Sequence, residues 1–426
     1  MNSPTKAVMV TFDYSQRGKS GTGLAAASLL AACKHHKSYK SEFSIEHLAI
    51  QMPNENMPLL TTGDVFQQLE SKYGVKNIDR LILACYVWST HLIEPLINLC
   101  KKNGFQGKTI LGGYQIVEET CMQLYPSADY YISSYAELAL PLAILHKEEN
   151  TILSTGKIIN KNMDKDEDFQ NLPSPYLDGT YPLYQNQKMI HWETHRGCIF
   201  KCNFCLHRDI KTNQVFDLDQ GRIMHELRLF ERMKIQKINV LDPVFNRGPH
   251  HKAVLKEAIR IKLESQLCLQ VRFELIDEEF LSLCSQLNVH MEFGLQTAIK
   301  EEYVTIERPN NLKKVSTAIK MLNEYNQSFE VSLIYGLPNQ TLDSFIESID
   351  FLTDEGITNI KAFPLMLLEG TELKEKKAEF GLKEGRIDNS GIPHVIESNT
   401  FSHKDWLSMH HIATNLSKQQ KQGDAE

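Results

Sequence analysis

The sequence predicts an α/β protein with an N-terminal doubly wound parallel sheet, a second barrel-like array of strands and helices, and a short C-terminal helical extension. Three observations support this prediction. Residues 1–147 and 186–376 both alternate strand patterns with helical patterns, and such alternation is typical of parallel sheets. Residues 148–185 interrupt that alternation. The chain has 426 residues, which is enough for two or three domains.

The N-terminal alternation begins with an apolar run of strand length at residues 7–12, followed by a glycine-containing turn. A helix is predicted over 23–36, because this segment is rich in alanine and leucine and ends in cations, which favour a helix C-terminus. Further strands are predicted in the runs SIEHLAI, RLILACYV, KTILGG and ADYYISS, with helices near 65–73, 91–102 and 136–146. Parallel sheets of this kind bind ligands beyond the carboxyl ends of their strands.

Residues 148–185 are predicted to be a linker, because the run KNMDKDEDFQNLPSPYLDG is charged, then proline-rich, and lacks periodicity. The second alternation occupies residues 186–376. Its strand candidates, separated by helical patterns, are MIHWETH, KINVLD, LQVRFEL, VHMEFGL, FEVSLIYG and NIKAFPLM. Six such repeats suit a βα barrel or an open array, with catalytic groups at the strand C-termini. Residues 377–426 form the predicted C-terminal extension.

The overall composition is that of an ordinary globular protein. Hydrophobic residues make up 42%, charged residues 23%, and the net charge is −7. This acidic balance argues against sequence-independent binding to nucleic acid or to an anionic membrane, which needs clustered lysine and arginine. No run reaches the roughly 18 apolar residues of a transmembrane helix, and the N-terminal run lacks a signal peptide's longer apolar region. The sequence therefore predicts a cytoplasmic protein with reduced thiols.

Nine cysteines are present, and an odd, scattered set does not indicate a disulfide framework. Three of them, Cys198, Cys202 and Cys205, lie together in the run HRGCIFKCNFCLHRD, directly after the first strand of the second domain. Three thiolates on one short loop suit a cubane iron–sulfur cluster in which one iron has no protein ligand. An open coordination position indicates chemistry rather than a structural role.

A zinc site is the alternative interpretation of the three cysteines. Zinc normally takes four ligands, and His195 or His207 could supply the fourth. The chain would then be a zinc-holding binding module without catalysis. The other six cysteines fall mostly within apolar patterns, which is typical of buried free cysteine.

The cysteine run resembles the signature of the radical S-adenosylmethionine (radical SAM) superfamily, in which an aromatic residue, here Phe204, precedes the third cysteine. The runs ELID, MEFGLQT, IERP, LIYGLPNQT and FPLMLLEGTEL resemble one branch of that superfamily. The resemblance implies a partial (βα)6 barrel with a [4Fe–4S] cluster on Cys198, Cys202 and Cys205. It also implies that SAM binds the open iron and is cleaved reductively to a 5′-deoxyadenosyl radical, which abstracts hydrogen from the substrate.

The same resemblance implies a set of SAM-binding residues. Phe204 would lie near the adenine through its backbone, and Glu274 would face the methionine amino group. Gln296 and Arg308 match polar positions that help to hold SAM, and the rigid fork of an arginine suits a carboxylate or ribose contact.

Two positions depart from the pattern of that branch. Ser332 stands at the ribose-contact position, where the branch often has an acidic residue. The second strand is followed by LDPVFN in place of a glycine-rich segment that ends in glutamate. Asp242 is the only acid in that run and is therefore a candidate for holding the methionine amino group.

The first domain resembles the cobalamin-binding domain that is often fused to radical SAM cores, through its first strand and the runs GTGLAAASLLAAC, YVWST and ILGGYQ. In the cobalt-ligating motif D-x-H-x-x-G, Asp13 and Gly18 are in place, but Ser15 occupies the histidine position. Serine is a poor cobalt ligand, so either cobalamin binds without a protein ligand below or the domain has lost it. Gly112 and Gly113 follow a strand and either let a ligand approach the backbone closely or form a plain tight turn.

Together these patterns predict a radical SAM enzyme, and methyl transfer to an unactivated carbon or to phosphorus if cobalamin is bound. The alternatives are a cobalamin-independent radical SAM enzyme that rearranges, cyclises or adds a SAM-derived group, and the zinc-holding module. The expected partners are a small-molecule or peptide substrate and an electron donor such as flavodoxin or ferredoxin. No nucleic-acid or membrane partner is expected.

Overall fold

The chain divides into two compact units. Unit 1 comprises Met1–Leu183 with Arg386–Ile392, and unit 2 comprises Tyr184–Gly385 with Pro393–Glu426. The predicted linker therefore falls almost wholly within unit 1. The computed structural model describes residues 3–423 except 15–22, 54–58, 134, 146–151, 154–158, 161–162, 164–165, 208–213 and 388–391.

Unit 1 is built on a five-stranded parallel sheet with strand order β2-β1-β3-β4-β5, which confirms the predicted doubly wound fold. The short strands β6 and β7 form a separate antiparallel pair. The elements of unit 1 are β1 (Thr5–Asp13), α1 (Leu24–His35), β2 (Phe43–Gln51), α2 (Thr62–Tyr73), β3 (Arg80–Ala84), α3 (Thr90–Lys102), β4 (Lys108–Gly112), α4 (Cys121–Leu124), β5 (Tyr130–Tyr131), α5 (Ala139–Leu145), β6 (Ile152–Leu153), β7 (Ile159–Asn160) and α6 (Asp166–Gln170).

The strands of the unit 1 sheet are buried on both faces. Six consecutive residues of β1 are buried, and the strand is almost entirely apolar. In β3, Leu81 and Leu83 pack in a hydrophobic cluster on one face, while Ile82 between them packs in a second cluster on the other. Because helices cover both faces, these strands appear in the sequence as continuous apolar runs.

Helix ends in both units carry the capping residues that their sequences favour. At the start of α2, Thr61 and Asp64 form a capping box in which each side chain accepts a hydrogen bond from the other residue's backbone N–H. The helix α1 ends in Lys34 and His35, as its sequence predicted. No helix in the described part of the chain is long and apolar enough to cross a membrane.

Unit 2 contains a six-stranded parallel sheet with order β15-β14-β13-β12-β11-β8, so neighbouring strands follow each other along the chain. This order is the one that a partial βα barrel requires. The elements of unit 2 are β8 (Ile190–Trp192), β9 (His195–Gly197), β10 (Val215–Asp217), α7 (Gln220–Arg232), β11 (Lys237–Val240), α8 (His251–Arg260), β12 (Gln266–Val271), α9 (Glu278–Cys284), β13 (Val289–Gln296), α10 (Lys300–Thr305), α11 (Leu312–Glu324), β14 (Ser328–Tyr335), α12 (Leu342–Asp354), β15 (Ile360–Pro364), α13 (Glu372–Glu375), β16 (Lys383–Arg386), β17 (Pro393–Glu397) and α14 (His403–Gly423).

One face of the unit 2 sheet is apolar and the other is polar. Along β13, buried residues such as Met291 and Phe293 alternate with partly exposed ones such as His290 and Glu292. Glu292 is in register with Gln270 of β12 on one side and Glu330 of β14 on the other. Residues in register share a face of the sheet, so this polar face continues across neighbouring strands.

Candidate active site

The three clustered cysteines lie on the loop that follows β9. Cys202 is buried, and Cys198 and Cys205 are partly buried. The backbone N–H of Cys205 donates to the carbonyl of Cys202 over 3.2 Å, which closes the second half of the loop into a tight turn. The three thiols are therefore presented together by one short segment.

Asn203 anchors this loop to segments that lie far along the chain. Its side-chain Nδ2 donates to the carbonyl of Thr305 over 2.7 Å, and its backbone N–H donates to the carbonyl of Ile306 over 3.2 Å. The Asn203 carbonyl accepts from the backbone N–H of Leu373 over 3.0 Å. Sequence reasoning missed Asn203, because an asparagine between two cysteines carries no signal of partners a hundred residues away.

Arg308 lies directly against the cysteine loop. Its Nη1 is 3.4 Å from the sulfur of Cys202, and its Nη2 donates to the carbonyl of Gly294. A Cβ on Gly294 would lie 3.2 Å from that guanidinium and would collide with the amide of Gln296, so both side chains need a glycine at residue 294. Gln296 itself has a φ of +72°, at a register shift between β13 and β14.

Burial is the largest influence on the pKa of two of the loop thiols, Cys198 and Cys205. It raises the pKa of Cys205 to about 11, and it also raises the pKa of Cys198 against the opposing effect of a backbone hydrogen bond at Phe200 and of the nearby charges of Arg308 and Arg272. These thiols are therefore protonated near neutral pH in the metal-free chain. A metal that binds here must displace their protons.

The donor set fits an iron–sulfur cluster better than a zinc ion. His195, one proposed fourth zinc ligand, is buried with its Nδ1 3.1 Å from Oδ2 of Asp242. Three thiols beside two arginines instead suit a larger anionic group, in which each thiolate binds a different iron.

Asp242 has a structural role at the start of the cysteine loop. Its side chain is fully buried at the end of β11. One carboxylate oxygen accepts from the backbone N–H of Thr194 over 2.7 Å and of His195 over 3.3 Å, and the other accepts from the Thr194 hydroxyl over 2.5 Å. The carboxylate thus holds the turn between β8 and β9, from which the cysteine loop starts, and its contact with the methionine amino group stays a prediction.

The other predicted SAM contacts lie at or near the carboxyl ends of neighbouring strands. Glu274 lies in the turn Phe273–Leu275 after β12, where its carboxylate pairs with Arg272 over 3.1 and 3.3 Å. Ser332 is in register with Gly294, and its hydroxyl is 3.5 Å from the carbonyl of Phe293. Phe204 is partly buried within the cysteine loop. The specific roles of these residues toward SAM stay predictions.

The carboxyl edge of the unit 1 sheet carries the predicted cobalamin-site residues that the structure describes. Asp13 ends β1 and accepts from the hydroxyl of Thr11 over 2.6 Å, and burial raises the pKa of its carboxyl group. Gly112 ends β4, and Gly113 follows it with a φ of +107°. A Cβ on Gly113 would lie 2.6 Å from the carbonyl of Cys85, so glycine is needed here for packing within unit 1. Ser15 and Gly18 lie outside the described residues.

An aromatic cluster stands beside Asp13 at this edge. Tyr86 and Trp88, in the turn after β3, stack with ring centroids 4.8 Å apart, and Tyr14 meets Trp88 edge-on at 5.8 Å. The Trp88 indole N–H donates to the carbonyl of Phe12 over 2.8 Å, which fixes its orientation. Tyr14 remains 41% exposed. The run YVWST contained the signal for this cluster, but its proximity to β1 follows only from the strand order.

Comparison with known proteins identifies the class. Residues 192–352 match the family model described as the radical SAM superfamily. This segment runs from the last residue of β8, through the cysteine loop, to α12. Residues 192–352 of this chain are therefore similar to the radical SAM superfamily, and they contain the cysteine loop.

Relatives and solved structures place it beside one branch of that superfamily. The chain is 21% identical over 383 residues to the cobalamin-dependent radical SAM methyltransferase TokK of Streptomyces tokunonensis, covering 78% of this chain and 56% of the relative. It is 21% identical over 410 residues to the 2-(S-pantetheinyl)-carbapenam-3-carboxylate methyltransferase of Streptantibioticus cattleyicolor, covering 83% of this chain and 60% of the relative. The chain thus spans less than two thirds of the length of either methyltransferase.

Two solved structures share the fold across both units. The radical SAM methyltransferase TsrM of Kitasatospora setae, with tryptophan and a SAM analogue bound, aligns with a TM-score of 0.65 at 13% identity, over 90% of this chain and 79% of TsrM. The cobalamin-dependent radical enzyme OxsB, with aqua-cobalamin and SAM bound, aligns with a TM-score of 0.66 at 14% identity, over 96% of this chain and 66% of OxsB. The paired architecture of a doubly wound sheet and a radical SAM barrel is therefore the architecture of those proteins.

Proposed function

We propose that the protein is a cobalamin-dependent radical SAM methyltransferase that modifies a small molecule or a peptide. The observation that carries this proposal is the three-cysteine loop beside Arg308 in unit 2. It is supported by the doubly wound unit 1, because a chain with both units shares the fold of TsrM and OxsB. When bound, a [4Fe–4S] cluster supplies the electron that splits SAM into methionine and a 5′-deoxyadenosyl radical.

The residues of unit 2 hold and orient the reacting groups. Cys198, Cys202 and Cys205 would ligate three irons and leave the fourth for SAM. Arg308 places a positive charge against Cys202, and the planar guanidinium also suits a carboxylate or ribose oxygen of SAM. We propose that Glu274 faces the methionine amino group, where a carboxylate offsets its charge.

The remaining contacts of SAM are proposed for residues of the cysteine loop, β13 and β14. Gln296 and Ser332 offer an amide and a hydroxyl to the ribose and methionine parts, and the backbone at Phe204 lies near the adenine. The polar face of the unit 2 sheet, which includes His290 and Glu330, gives a polar surface to a substrate that bears hydrogen-bonding groups.

Unit 1 would bind cobalamin at the carboxyl edge of its sheet, where doubly wound sheets bind ligands. The stacked rings of Tyr86 and Trp88 offer a flat apolar surface next to Asp13, which suits packing against a large ring system. Because Ser15 replaces the cobalt-ligating histidine of the motif, we propose that cobalamin binds without a protein ligand on its lower face.

A second candidate function is radical SAM chemistry without cobalamin. The serine at position 15 favours it, since no other residue of the run DYSQRG offers an imidazole. Unit 1 would then be a platform for a substrate or a partner, and the product would be rearranged, cyclised or carry a SAM-derived group.

The proposed partner for reduction is a one-electron donor such as flavodoxin or ferredoxin. An oxygen-sensitive cluster and nine cysteines outside any disulfide suit a reducing compartment, so we propose the cytoplasm. Neither nucleic acid nor membrane is proposed as a partner.

The test is anaerobic reconstitution of the full chain with iron, sulfide and hydroxocobalamin, followed by gel filtration and turnover with methyl-deuterated SAM. We expect a brown protein that co-elutes with cobalamin, forms 5′-deoxyadenosine, and yields a product heavier by one labelled methyl group. A colourless protein would contradict the radical SAM assignment. A brown protein that cleaves SAM but retains no cobalamin and transfers no label would replace methyl transfer with the second candidate.

A further inference from the structure

A second arginine lies beside the cysteine loop, and sequence reasoning gave it no role. Arg272 directly follows β12, and its side chain is only 5% exposed. Its backbone is held by Asn246, whose side chain donates to the Arg272 carbonyl over 3.0 Å and accepts from the Arg272 N–H over 3.1 Å. The position of this arginine is therefore set by the fold rather than by a flexible loop.

The guanidinium of Arg272 is clamped between two groups. The ring of Phe200, on the cysteine loop, lies 4.2 Å from the guanidinium carbon, which is a close cation–π contact. At the edge of the guanidinium, Glu274 accepts from Nε over 3.1 Å and from Nη2 over 3.3 Å. The remaining nitrogen, Nη1, is buried and has no hydrogen-bond partner among the described residues.

Among the described residues, Arg272 and Arg308 thus bring two positive charges to the cysteine loop, and the Glu274 carboxylate pairs with one of them. Arg308 touches Cys202, and its Nε is likewise buried without a hydrogen-bond partner in the described part of the chain. Burial lowers the pKa of Arg272, and the charge of Arg308 lowers it further, while Glu274 opposes both. Guanidinium groups nevertheless stay protonated in proteins. Two buried like charges with unused donors are costly unless an anionic group binds beside them.

We propose that Arg272, held by Phe200 and Glu274, is a positioning residue that raises the reduction potential of a cluster bound to Cys198, Cys202 and Cys205. This inference rests on the proposed function, since it requires the cluster. One electron from an external donor would take the cluster from [4Fe–4S]2+ to [4Fe–4S]+, which adds one negative charge to the site. A fixed buried cation stabilises the more negative form, and cluster potentials respond to net charge and to hydrogen bonds at the sulfurs.

The choice of arginine over lysine is part of this inference. A planar guanidinium can stack on the Phe200 ring while its edge pairs with Glu274, whereas an ammonium is a point charge on a flexible stem. The stacking contact joins Arg272 to the same loop that carries the cysteines, so the cation and the thiols keep a constant separation.

The experiment is a redox titration of the reconstituted full chain, monitored by the electron paramagnetic resonance signal of the reduced cluster. We expect Arg272→Gln to lower the equilibrium constant for one-electron reduction about tenfold, which is about 59 mV for one electron. Arg272→Lys keeps the charge but loses the planar contacts with Phe200 and Glu274, so it should recover only part of that shift. Arg260→Gln removes a charge from an exposed arginine at the end of α8 and should leave the potential unchanged.

Each possible result of this titration either supports the inference or overturns it. A wild-type potential in Arg272→Gln, with a full complement of iron, overturns the inference and leaves the proposed function intact. A shift in Arg272→Lys as large as in Arg272→Gln overturns the role of charge. A wild-type chain that holds no cluster overturns the proposed function and this inference together.

Phe200→Leu gives a second route if Arg272→Gln folds poorly. This change keeps every charge and removes only the cation–π contact. We expect a shift in the same direction as Arg272→Gln but smaller, because the guanidinium loses its fixed place. If Arg272→Gln does not fold, an unchanged potential in a Phe200→Leu chain that holds its full complement of iron overturns the inference.

Discussion

The two parallel sheets of this chain are buried in different ways. In unit 1, Leu81 and Ile82 are neighbours on β3, and each is buried in a different hydrophobic cluster. In unit 2, Met291 and Glu292 are neighbours on β13, and only the methionine is fully buried. Both sheets are parallel, so the difference does not come from strand direction.

Strand order explains this difference. The order β2-β1-β3-β4-β5 reverses direction at β1, so right-handed connections place helices on both faces of the unit 1 sheet. In unit 2 the strands follow chain order, and the same handedness places the connecting helices on one face. A sheet whose strand order reverses has a crevice for ligands at its carboxyl edge, as in unit 1. A sheet whose strands follow chain order has one face that no connecting helix covers, which is the polar face in unit 2.

The largest effect is expected at the cysteine loop. Cys202→Ala should lose nearly all bound iron after anaerobic reconstitution, because a three-ligand site does not retain a cubane cluster on two thiolates. Cys284→Ala, which removes a buried thiol of α9, should keep its iron. Iron and sulfide content per chain measures both. Equal iron in the two variants would contradict the assignment of the cluster to this loop.

The difference between the sheets can be tested by truncating neighbouring residues. Leu81→Ala and Ile82→Ala should each lower the free energy of unfolding by about 2–5 kcal/mol, because each leaves a cavity on its own face. In unit 2, Met291→Ala should cost a similar amount, but Glu292→Ala should stay within about 0.5 kcal/mol of wild type. Denaturant unfolding followed by hydrogen exchange resolves the two units. A large cost for Glu292→Ala would mean that the polar face is packed.

The anchor of the cysteine loop can be tested at Gly248. A Cβ there would lie 2.5 Å from Nδ1 of the buried His195 imidazole, which is paired with Asp242. Gly248→Ala should therefore destabilise unit 2 by about 1–3 kcal/mol and reduce iron retention. Gly63→Ala in α2 is the matched control, because its Cβ would lie 3.6 Å from the nearest side-chain atom. Thermal denaturation and iron content should change in the first variant alone.

A smaller, pH-dependent effect is expected in unit 1. Burial lowers the pKa of His47 to about 4, with a further contribution from Lys72, and the ring is 2.8 Å from the hydroxyl of Thr11. The unfolded chain takes up this proton near pH 6.5 and the folded chain only near pH 4, so stability falls as the pH falls between these values. We expect a loss of about 1–2 kcal/mol, since the ring is only partly shielded.

Hydrogen exchange of the β1 and β2 amides between pH 7 and pH 4 measures this effect, after correction for intrinsic exchange rates. His47→Gln should flatten the pH dependence in unit 1, because glutamine does not titrate. Amides of the unit 2 sheet should not respond to this substitution. A pH dependence that persists unchanged in His47→Gln would assign the effect to other groups.

Much of the fold could be predicted from local patterns. The strand at residues 7–12 and the helix at 23–36 lie within about one or two residues of β1 and α1, because a buried strand and an alanine-rich helix each have a distinctive composition. The region between the units was harder to interpret. The predicted linker contains β6, β7 and α6, which are only two to five residues long and carry no measurable periodicity.

Only those residues of the candidate site that lie close together in the sequence could be predicted. The three cysteines fall within eight residues, so their spacing alone indicated a cluster. The hydrogen bonds of Asp242 to Thr194 and His195 could not be predicted, because those two residues lie nearly 50 positions earlier in the chain. Arg272 was overlooked for the same reason, since its contact with Phe200 joins residues 72 positions apart in the chain (272 − 200 = 72).

The sequence by itself determined the alternation of strands and helices, the two-unit organisation and the cysteine loop, because burial periodicity and ligand spacing are properties of neighbouring residues. The tertiary structure decided which charges surround that loop. Arg308 reaches Cys202 across 106 positions of sequence, and Arg272 reaches Phe200 from the end of β12. Parallel strands bring their carboxyl ends to one edge of the sheet, so residues far apart in the chain meet there.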